Sequence, residues 1–345
     1  MAGVRGIGLV ARQELRTRVR ARRWRLLLGV WFGLVGLLTF ALWAAYDGGY
    51  SDRDLGVAVY GTLLLLVLLL VLLLAPALAS QSVNGERERG TLALLQLTGL
   101  TPGEIAAGKL VAAWGTGLVA LGLTLPFLAW PVLTGAVRPV TALVSVLVTA
   151  LLMGVVCALA LCFSAVAARG VASALASYLT VFGMLIGTVI CYGVYFGLTA
   201  PSEGSGASED ESRGWWLLAP HPFVVLADAA PETPPRPVCG YTTLPPTPEH
   251  PQGERVRICP EEEPAFDLLG ELRETIRELR AEDVDYVVSD TDHGTHRYTY
   301  QENASGPVWP YGLAVNLALG AGAFAITVKR LRLPVKHLAE GTRLA

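Results

Sequence analysis

The sequence predicts an all-α polytopic membrane protein: six transmembrane helices, a short cytoplasmic helix between two of them, and a small extracytoplasmic α/β insert before the last. Three observations predict this class. Of the 345 residues, 52% are apolar and 16% are charged, whereas about 25% are charged in a typical soluble domain. Six apolar stretches are long enough to cross about 30 Å of hydrocarbon. The acidic residues are concentrated, because 21 of the 29 lie between positions 201 and 307.

Each predicted span is a run of about 20 or more apolar residues that contains no Asp, Glu, Lys or Arg. Helices are the expected form, since an open strand in lipid would leave its backbone N–H and C=O groups without hydrogen bonds. The predicted spans cover residues 26–46, 57–79, 110–133, 140–168, 171–198 and 308–328.

The basic residues predict the orientation, because Lys and Arg in short loops are retained in the cytoplasm. The N-terminal segment, the loops after spans two and four, and the C-terminal tail together carry 17 Lys and Arg residues, whereas the opposite short loops carry two, Arg53 and Arg138. Both termini are therefore predicted to be cytoplasmic. The resulting regions are a basic helix at 1–25, spans one to five at 26–199 with a cytoplasmic loop at 80–109, an outer insert at 200–307, span six at 308–328 and a basic tail at 329–345.

The arginine-rich N-terminus has two interpretations. Arg22-Arg23-Trp24 before an apolar run is similar to a twin-arginine or secretory signal peptide. That apolar run is longer than the roughly 7–15 residues of a signal core, and five more spans follow it. The sequence therefore favours a retained basic helix over residues 12–25 that lies on the anionic lipid of the inner membrane, although these arginines also serve to set the topology.

Several function classes lack support in the sequence. Ion-coupled carriers keep ionisable residues at mid-membrane, and the predicted spans contain none. The chain has no G-x-x-x-x-G-K-[ST] phosphate loop, no H-E-x-x-H zinc motif and no G-x-S-x-G nucleophile motif. Binding to nucleic acid has no electrostatic support. We therefore predict no catalytic residue, metal site or cofactor, and an energy source on another chain for any transport.

The loop between spans two and three holds the most specific pattern in the chain. Alternating charges at residues 86–89 face water, and leucines at 92, 94 and 95 give a short helix an apolar side. Thr101 is a natural N-cap, with Pro102 at the first helical position and Glu104 at the third, which predicts a capping box at the start of a new helix. Any cytoplasmic hairpin needs charges, turns and caps, so this chemistry alone does not define a function.

The same loop resembles the first intracellular loop of ABC-2 type transporter permeases, which often run E-R-E-x-G-T-L-E-x-L-L…T-P-x-x-x-x-E-I…G-K. The matching positions are Glu86-Arg87-Glu88, Gly90-Thr91-Leu92, Leu94-Leu95, Glu104-Ile105 and Gly108-Lys109. Ala93 stands where an acidic residue is common, and Gly99 replaces a frequent proline-containing turn. The number of spans, the cytoplasmic termini and the large loop before the last span agree with the resemblance.

The resemblance implies the permease subunit of an ATP-driven exporter in the cytoplasmic membrane. Such permeases form half of a pore, pair with a second permease subunit, and are driven by a separate cytoplasmic ATPase. The loop would contain the coupling helix, seated in a groove of that ATPase. The residues implied in this contact are Glu86, Arg87, Glu88, Arg89, Gly90, Thr91, Leu92 and Glu104. The alternative is a non-transporting membrane sensor or assembly protein that binds through its outer insert.

The insert at 200–307 contains several short patterns. Residues 215–218 and 222–226 are too short to span a membrane and are typical of interfacial or re-entrant segments. Residues 265–281 predict an amphipathic helix, and residues 286–289 and 296–300 predict a strand pair. Asp290, Asp292, His293 and His296 are more typical of a polar turn than of a metal site. Cys239 and Cys259 lie outside, where a disulfide can form, and two unpaired thiols are the alternative.

Overall fold

The computed structural model describes residues 2–20, 22–46, 52–91, 100–199, 214–231, 240–243, 255–258, 267–280, 282–290, 294–302 and 306–332. Within these ranges, six helical segments are long and apolar enough to cross a membrane. The prediction of an all-helical membrane region with six spans is therefore confirmed. The helices at the N-terminal side are α1 (Ala2–Arg20), α2 (Arg22–Tyr46), α3 (Asp52–Ala79) and α4 (Asn84–Glu88).

The third span differs from its prediction over residues 110–133. Helix α5 begins at Pro102 and ends at Gly122, and a separate helix α6 covers Leu125–Leu133. Pro126 explains the break, because a proline has no N–H to continue the preceding helix and is tolerated in the first turn of a new one. Since α5 begins eight residues before the predicted span, this membrane-length helix includes the charged Lys109.

The remaining membrane helices follow with small shifts of their ends. Helix α7 covers Pro139–Val166, and helix α8 covers Gly170–Phe182. A π-helical turn at Gly183–Gly187 joins α8 to helix α9, which covers Thr188–Thr199. The last membrane helix, here numbered α13, covers Trp309–Leu331.

Helices α3 and α7 form the centre of the bundle. Eight residues of α3 between Val57 and Leu72 belong to one large buried cluster with residues of α5 and α7. Two polar groups of this region are paired: the Tyr60 hydroxyl lies 2.8 Å from Ser145 Oγ, and Trp114 Nε1 donates to the Ala150 carbonyl at 2.8 Å. Helices α2 and α8–α9 lie at the periphery, with most of their apolar side chains exposed.

Between α9 and α13 the chain returns to the bundle. Short helices α10 (Trp215–Leu218) and α11 (Pro222–Ala229) precede helix α12 (Leu268–Glu278). Helix α11 is buried against α3, α7 and α13. Helix α12 is three residues shorter at each end than predicted, and Leu268 is exposed whereas Leu269 and Ile276 are buried.

In the described part of the chain, four strands form two antiparallel pairs. Strand β1 (Gly240–Thr243) pairs with β2 (Arg255–Ile258), and β3 (Glu282–Asp290) pairs with β4 (Gly294–Glu302). The second pair is longer than the predicted strands at 286–289 and 296–300. Positions 292 and 293 of the candidate metal cluster, and both Cys239 and Cys259, lie outside the described residues. A packed α/β insert remains a prediction.

Candidate functional site

The predicted site residues lie at the end of the bundle where α1 contacts α5. We call this the basic end. It is formed by α1, the turn over residues 80–91 with α4, the start of α5, the turn between α7 and α8, and the last residues of α13. Val83, Ile105 and Leu161 form a small buried cluster there with Ala165 and Leu331. The start of α5, the last turns of α7 and the end of α13 therefore pack around the turn at 80–91.

The start of α5 has the predicted capping box. Thr101 Oγ1 accepts a hydrogen bond from the Glu104 N–H at 3.3 Å, and Glu104 Oε2 accepts one from the Thr101 N–H at 2.7 Å. Glu104 also lies against α1, since a Cβ added to Gly6 would stand 2.8 Å from Glu104 Oε1. Glu104 thus stabilises its own helix and contacts α1.

Lys109 is the buried charge at this end, and its side chain is 0% exposed. Its Nζ atom lies 2.8 Å from Glu14 Oε1 on α1, 2.6 Å from Glu86 Oε1 on α4 and 3.0 Å from the Ser82 carbonyl oxygen. All three ammonium protons therefore have an acceptor. In the sequence, Lys109 is a matching motif position and one of the 17 basic residues on the predicted cytoplasmic side. A usable signal was present, because the chain contains three lysines among 27 basic residues and this one precedes an apolar span.

Arg87 and Glu88 bind the turn between α7 and α8. Arg87 donates from Nη1 to the Ala167 carbonyl at 3.1 Å and from Nη2 to the Ala165 carbonyl at 3.3 Å. Glu88 Oε1 accepts from the Gly170 N–H at 3.3 Å, at the positive end of the α8 dipole. Glu86, Arg87 and Glu88 thus all have partners within this chain, an arrangement that the alternating charge pattern does not reveal.

Backbone groups of the same turn are also bonded to the bundle. Ser164 Oγ on α7 accepts from the N–H groups of Val83 and Asn84 at 3.0 and 3.1 Å. Ser173 Oγ on α8 donates to the Ser80 carbonyl at 2.6 Å. These bonds hold the base of the turn in one position relative to α7 and α8.

The tip of the turn is exposed. Arg89, Gly90 and Thr91 all face away from the bundle. Gly90 has a φ angle of 71°, a left-handed conformation that a residue with a Cβ adopts only with strain. Thr91 Oγ1 donates back to the Glu86 carbonyl at 3.4 Å. Leu92, with its expected apolar helix, lies outside the described residues. Of the seven predicted contact residues that the structure describes, three lie at the exposed tip, three in the base of the turn and one, Glu104, at the start of α5.

Six membrane-length helices within the described residues support a polytopic integral membrane protein. The family model for ABC-2 family transporter proteins matches residues 9–229, which include α1 from residue 9 onward, the turn at 80–91 and helices α2 to α11. The chain therefore belongs to the ABC-2 family transporter proteins, as its loop motif indicates. It is a membrane permease of an ABC transporter, a transport component whose family implies an ATPase partner. A comparison with curated proteins finds no match.

Proposed function

We propose that this permease is the membrane subunit of an exporter and that the turn at 80–91 receives movement from a separate cytoplasmic ATPase. The observation that carries the proposal is the structure of this turn. Its tip at residues 89–91 is exposed, while its base is bonded to α1 and α5 through Lys109 and to α7 and α8 through Arg87, Glu88 and Ser164.

A turn built in this way transmits force. A push on the exposed tip moves the base, and the base is bonded to helices on both sides of it. The bonded helices α5, α7 and α8 belong to spans three, four and five. Packed helices respond to such a displacement by shifting as rigid bodies rather than by deforming continuously. Closure of a docked ATPase pair would therefore tilt three spans together.

The basic end is the proposed cytoplasmic end, because the N-terminal segment, the two loops and the tail at this end carry 17 of the 27 Lys and Arg residues and such residues are retained inside. Helix α1 also exposes Arg5, Arg12 and Arg16 on one side, together with Leu9 at 63% exposure. A basic side with an apolar residue suits the surface of an anionic bilayer. This arrangement supports a multi-pass protein of the inner membrane with both termini inside.

A second permease subunit is the proposed lateral partner. In the most apolar parts of α2 and of α8–α9, 11% of the residues are buried, so these helices present their apolar sides to lipid or to another subunit. Gly183, Gly187, Gly193 and Gly197 have open space where a Cβ would stand, and such small residues permit close approach of a second helix. Cross-linking and mass measurement in detergent are expected to show dimers. If only monomers of the permease were found, even with the ATPase bound, the proposed dimer would be contradicted.

The experiment on ATPase docking must avoid Glu86. The change Glu86→Lys would bring a second ammonium group to the buried Lys109 and would disturb the fold whether or not the turn docks. Arg89→Glu is the better variant, because Arg89 is exposed at the tip. The matched control is Arg138→Glu, which reverses an exposed arginine at the opposite end of the bundle.

The measurement is retention of the ABC ATPase that co-purifies with the wild-type chain. Reversing a charge at a docked interface removes an attraction and adds a repulsion, so we expect Arg89→Glu to lose about tenfold or more in affinity, equivalent to about 1.4 kcal/mol. Arg138→Glu is expected to retain the ATPase. Equal retention by both variants would remove the turn from the ATPase contact. A wild-type chain that retains no ATPase but binds a ligand through its insert would favour a sensor.

A further inference from the structure

Helix α1 is joined to the turn at 80–91 by one buried ammonium group. Glu14 on α1 and Glu86 on α4 both contact Lys109 Nζ, at 2.8 and 2.6 Å. The two carboxylates are 95 and 23 positions away from Lys109 in the sequence. Lys109 thus joins α1 to the turn at 80–91, here called the docking turn, through two ion pairs.

The contact of α1 with α5 beside Lys109 is made by small groups. A Cβ on Gly108 would stand 2.5 Å from Val10 Cβ and 3.1 Å from the Ile7 carbonyl oxygen. The side of α1 that faces α5 therefore carries Gly6, Val10 and Glu14, which are spaced by one helical turn each. The small groups let α1 approach α5 closely, and the ion pair of Glu14 with Lys109 lies one helical turn farther along the same side of α1.

Glu14 and Glu86 both contact the ammonium group of Lys109, and Glu86 Oε2 is buried without a hydrogen-bond partner. A buried charge that loses its partner is strongly unfavourable. Either carboxylate therefore stays with Lys109 when the turn moves, and a displacement of α4 is passed to α1 rather than absorbed between them.

From this geometry we infer that Lys109 is a positioning residue that makes α1 move with the docking turn. The inference rests on the proposed function of that turn. It extends the coupling path beyond spans three to five, because α1 is followed directly by α2, the first span. Span one would then respond to ATP through Glu14 and Lys109, although α2 itself has few buried residues in the bundle.

The experiment measures hydrogen exchange in the complex of the full chain with its co-purified ATPase, with and without ATP and vanadate. In the wild-type complex we expect nucleotide-dependent changes in exchange both in the turn at 80–91 and in α1. Glu14→Gln removes the ion pair between α1 and Lys109 and leaves Lys109 paired with Glu86. This variant is expected to keep the ATPase and the change in the turn, and to lose the change in α1.

Three further variants make the result decisive. Lys109→Arg keeps a buried cation and is expected to preserve the change in exchange in α1. If Glu14→Gln does not fold, Glu14→Asp takes its place, and its shorter side chain is expected to weaken the change in exchange in α1. Arg12→Gln, on the exposed side of α1, is the matched control and is expected to behave as wild type.

The two proposals fail differently in this experiment. A wild-type chain that retains no ATPase contradicts the docking function. A Glu14→Gln complex that retains the ATPase and still shows the nucleotide-dependent change in α1 overturns the role of Lys109. Loss of ATPase retention in Glu14→Gln also overturns it, because the junction would then only maintain the shape of the docking turn.

Discussion

Buried charged side chains hold loops to the bundle at both of its ends, but the groups that they bind differ. At the end opposite the basic end, Asp228 on α11 accepts from the N–H groups of Val308 and Trp309 at 2.5 and 2.9 Å, and from Arg277 Nε at 3.2 Å. The buried Arg273 donates to the carbonyls of Ala227, Ala230 and Pro231. These charges satisfy the backbone groups that every helix leaves unbonded at its termini.

At the basic end, Lys109 binds two side chains from different segments. The other charged contacts are of the same kind at both ends, because Arg87 and Glu88 bind backbone groups of the turn between α7 and α8, and Asp228 pairs with the Arg277 side chain. The difference is that Lys109 binds two carboxylates, from α1 and α4, with one buried ammonium group on α5. The buried Asp228 and Arg273 bind mainly backbone groups.

The largest expected effect tests the end opposite the basic end, here called the outer end. Asp228→Ala leaves two N–H groups at the start of α13 and the guanidinium of Arg277 without their acceptor. Loss of a buried charged partner of this kind typically costs about 3 kcal/mol or more. We expect the free energy of unfolding in detergent to fall by that amount, with ATPase retention unchanged.

The control for this change is Glu274→Ala, an exposed substitution on α12 that should stay within about 0.5 kcal/mol of wild type. If the two variants had equal stability, the outer end would not depend on Asp228, and the contrast between the two ends would be wrong.

The second prediction is a disulfide bond between Cys239 and Cys259 in the insert. Gly240, which follows Cys239, is paired with Ile258, which precedes Cys259, so the strand register supports the proposed bond. Closing a loop of 21 residues stabilises the folded insert by about 3 kcal/mol in the chain-entropy model. The bond is expected to stabilise the insert and not the membrane helices. We expect a membrane-impermeant maleimide to label neither cysteine before reduction, in a Cys191→Ser background. Labelling of both without reduction would show free thiols.

A smaller effect is expected at the basic end from the cap of α5. Thr101→Ala removes the hydroxyl that accepts from the Glu104 N–H, and loss of an N-cap typically costs about 1 kcal/mol. Thr101→Ser keeps the hydroxyl and should restore most of this stability. Thermal unfolding of the three proteins measures the difference, and a Thr101→Ala protein as stable as wild type would show that the cap is redundant with the α1 contact.

The smallest expected effect is a pH dependence at the outer end. Burial lowers the pKa of His221 below its ordinary value of 6.5, although the bond to the Leu185 carbonyl at 2.9 Å opposes the shift. His221 Nδ1 accepts from the Phe223 N–H, so the neutral ring is the form that fits. Its contribution to stability is therefore present above pH 6.5 and is lost as the pH falls below that value.

The measurement is the unfolding midpoint of wild type and His221→Gln across this pH range. Wild type should lose stability on acidification by more than the variant does. Parallel curves would show that protonation of His221 has no part in holding the π-helical turn at Gly183–Gly187.

The spans and the start of α5 were predictable because their causes are local. Hydropathy over about 20 residues sets the spans, and the capping box joins Thr101 to Glu104, three positions away. The loop motif likewise identified the ABC-2 family, which the family match confirms. The separation of α6 from α5 was also readable from Pro126, although apolar composition alone predicted one continuous span.

The roles of the charged residues were decided only by the tertiary structure. Glu86, Arg87 and Glu88 look in sequence like a solvated charge run, and Lys109 looks like a residue at the edge of a span. Their partners are far along the chain, since Glu14 is 95 positions from Lys109 and Ala167 is 80 positions from Arg87. Composition and spacing carry no information about contacts at such separations, which exist because packing of α1, α5 and α7 brings these groups together. The sequence by itself determined the membrane helices and the family, and the packing of the helices decided which charges hold the turn and which remain exposed.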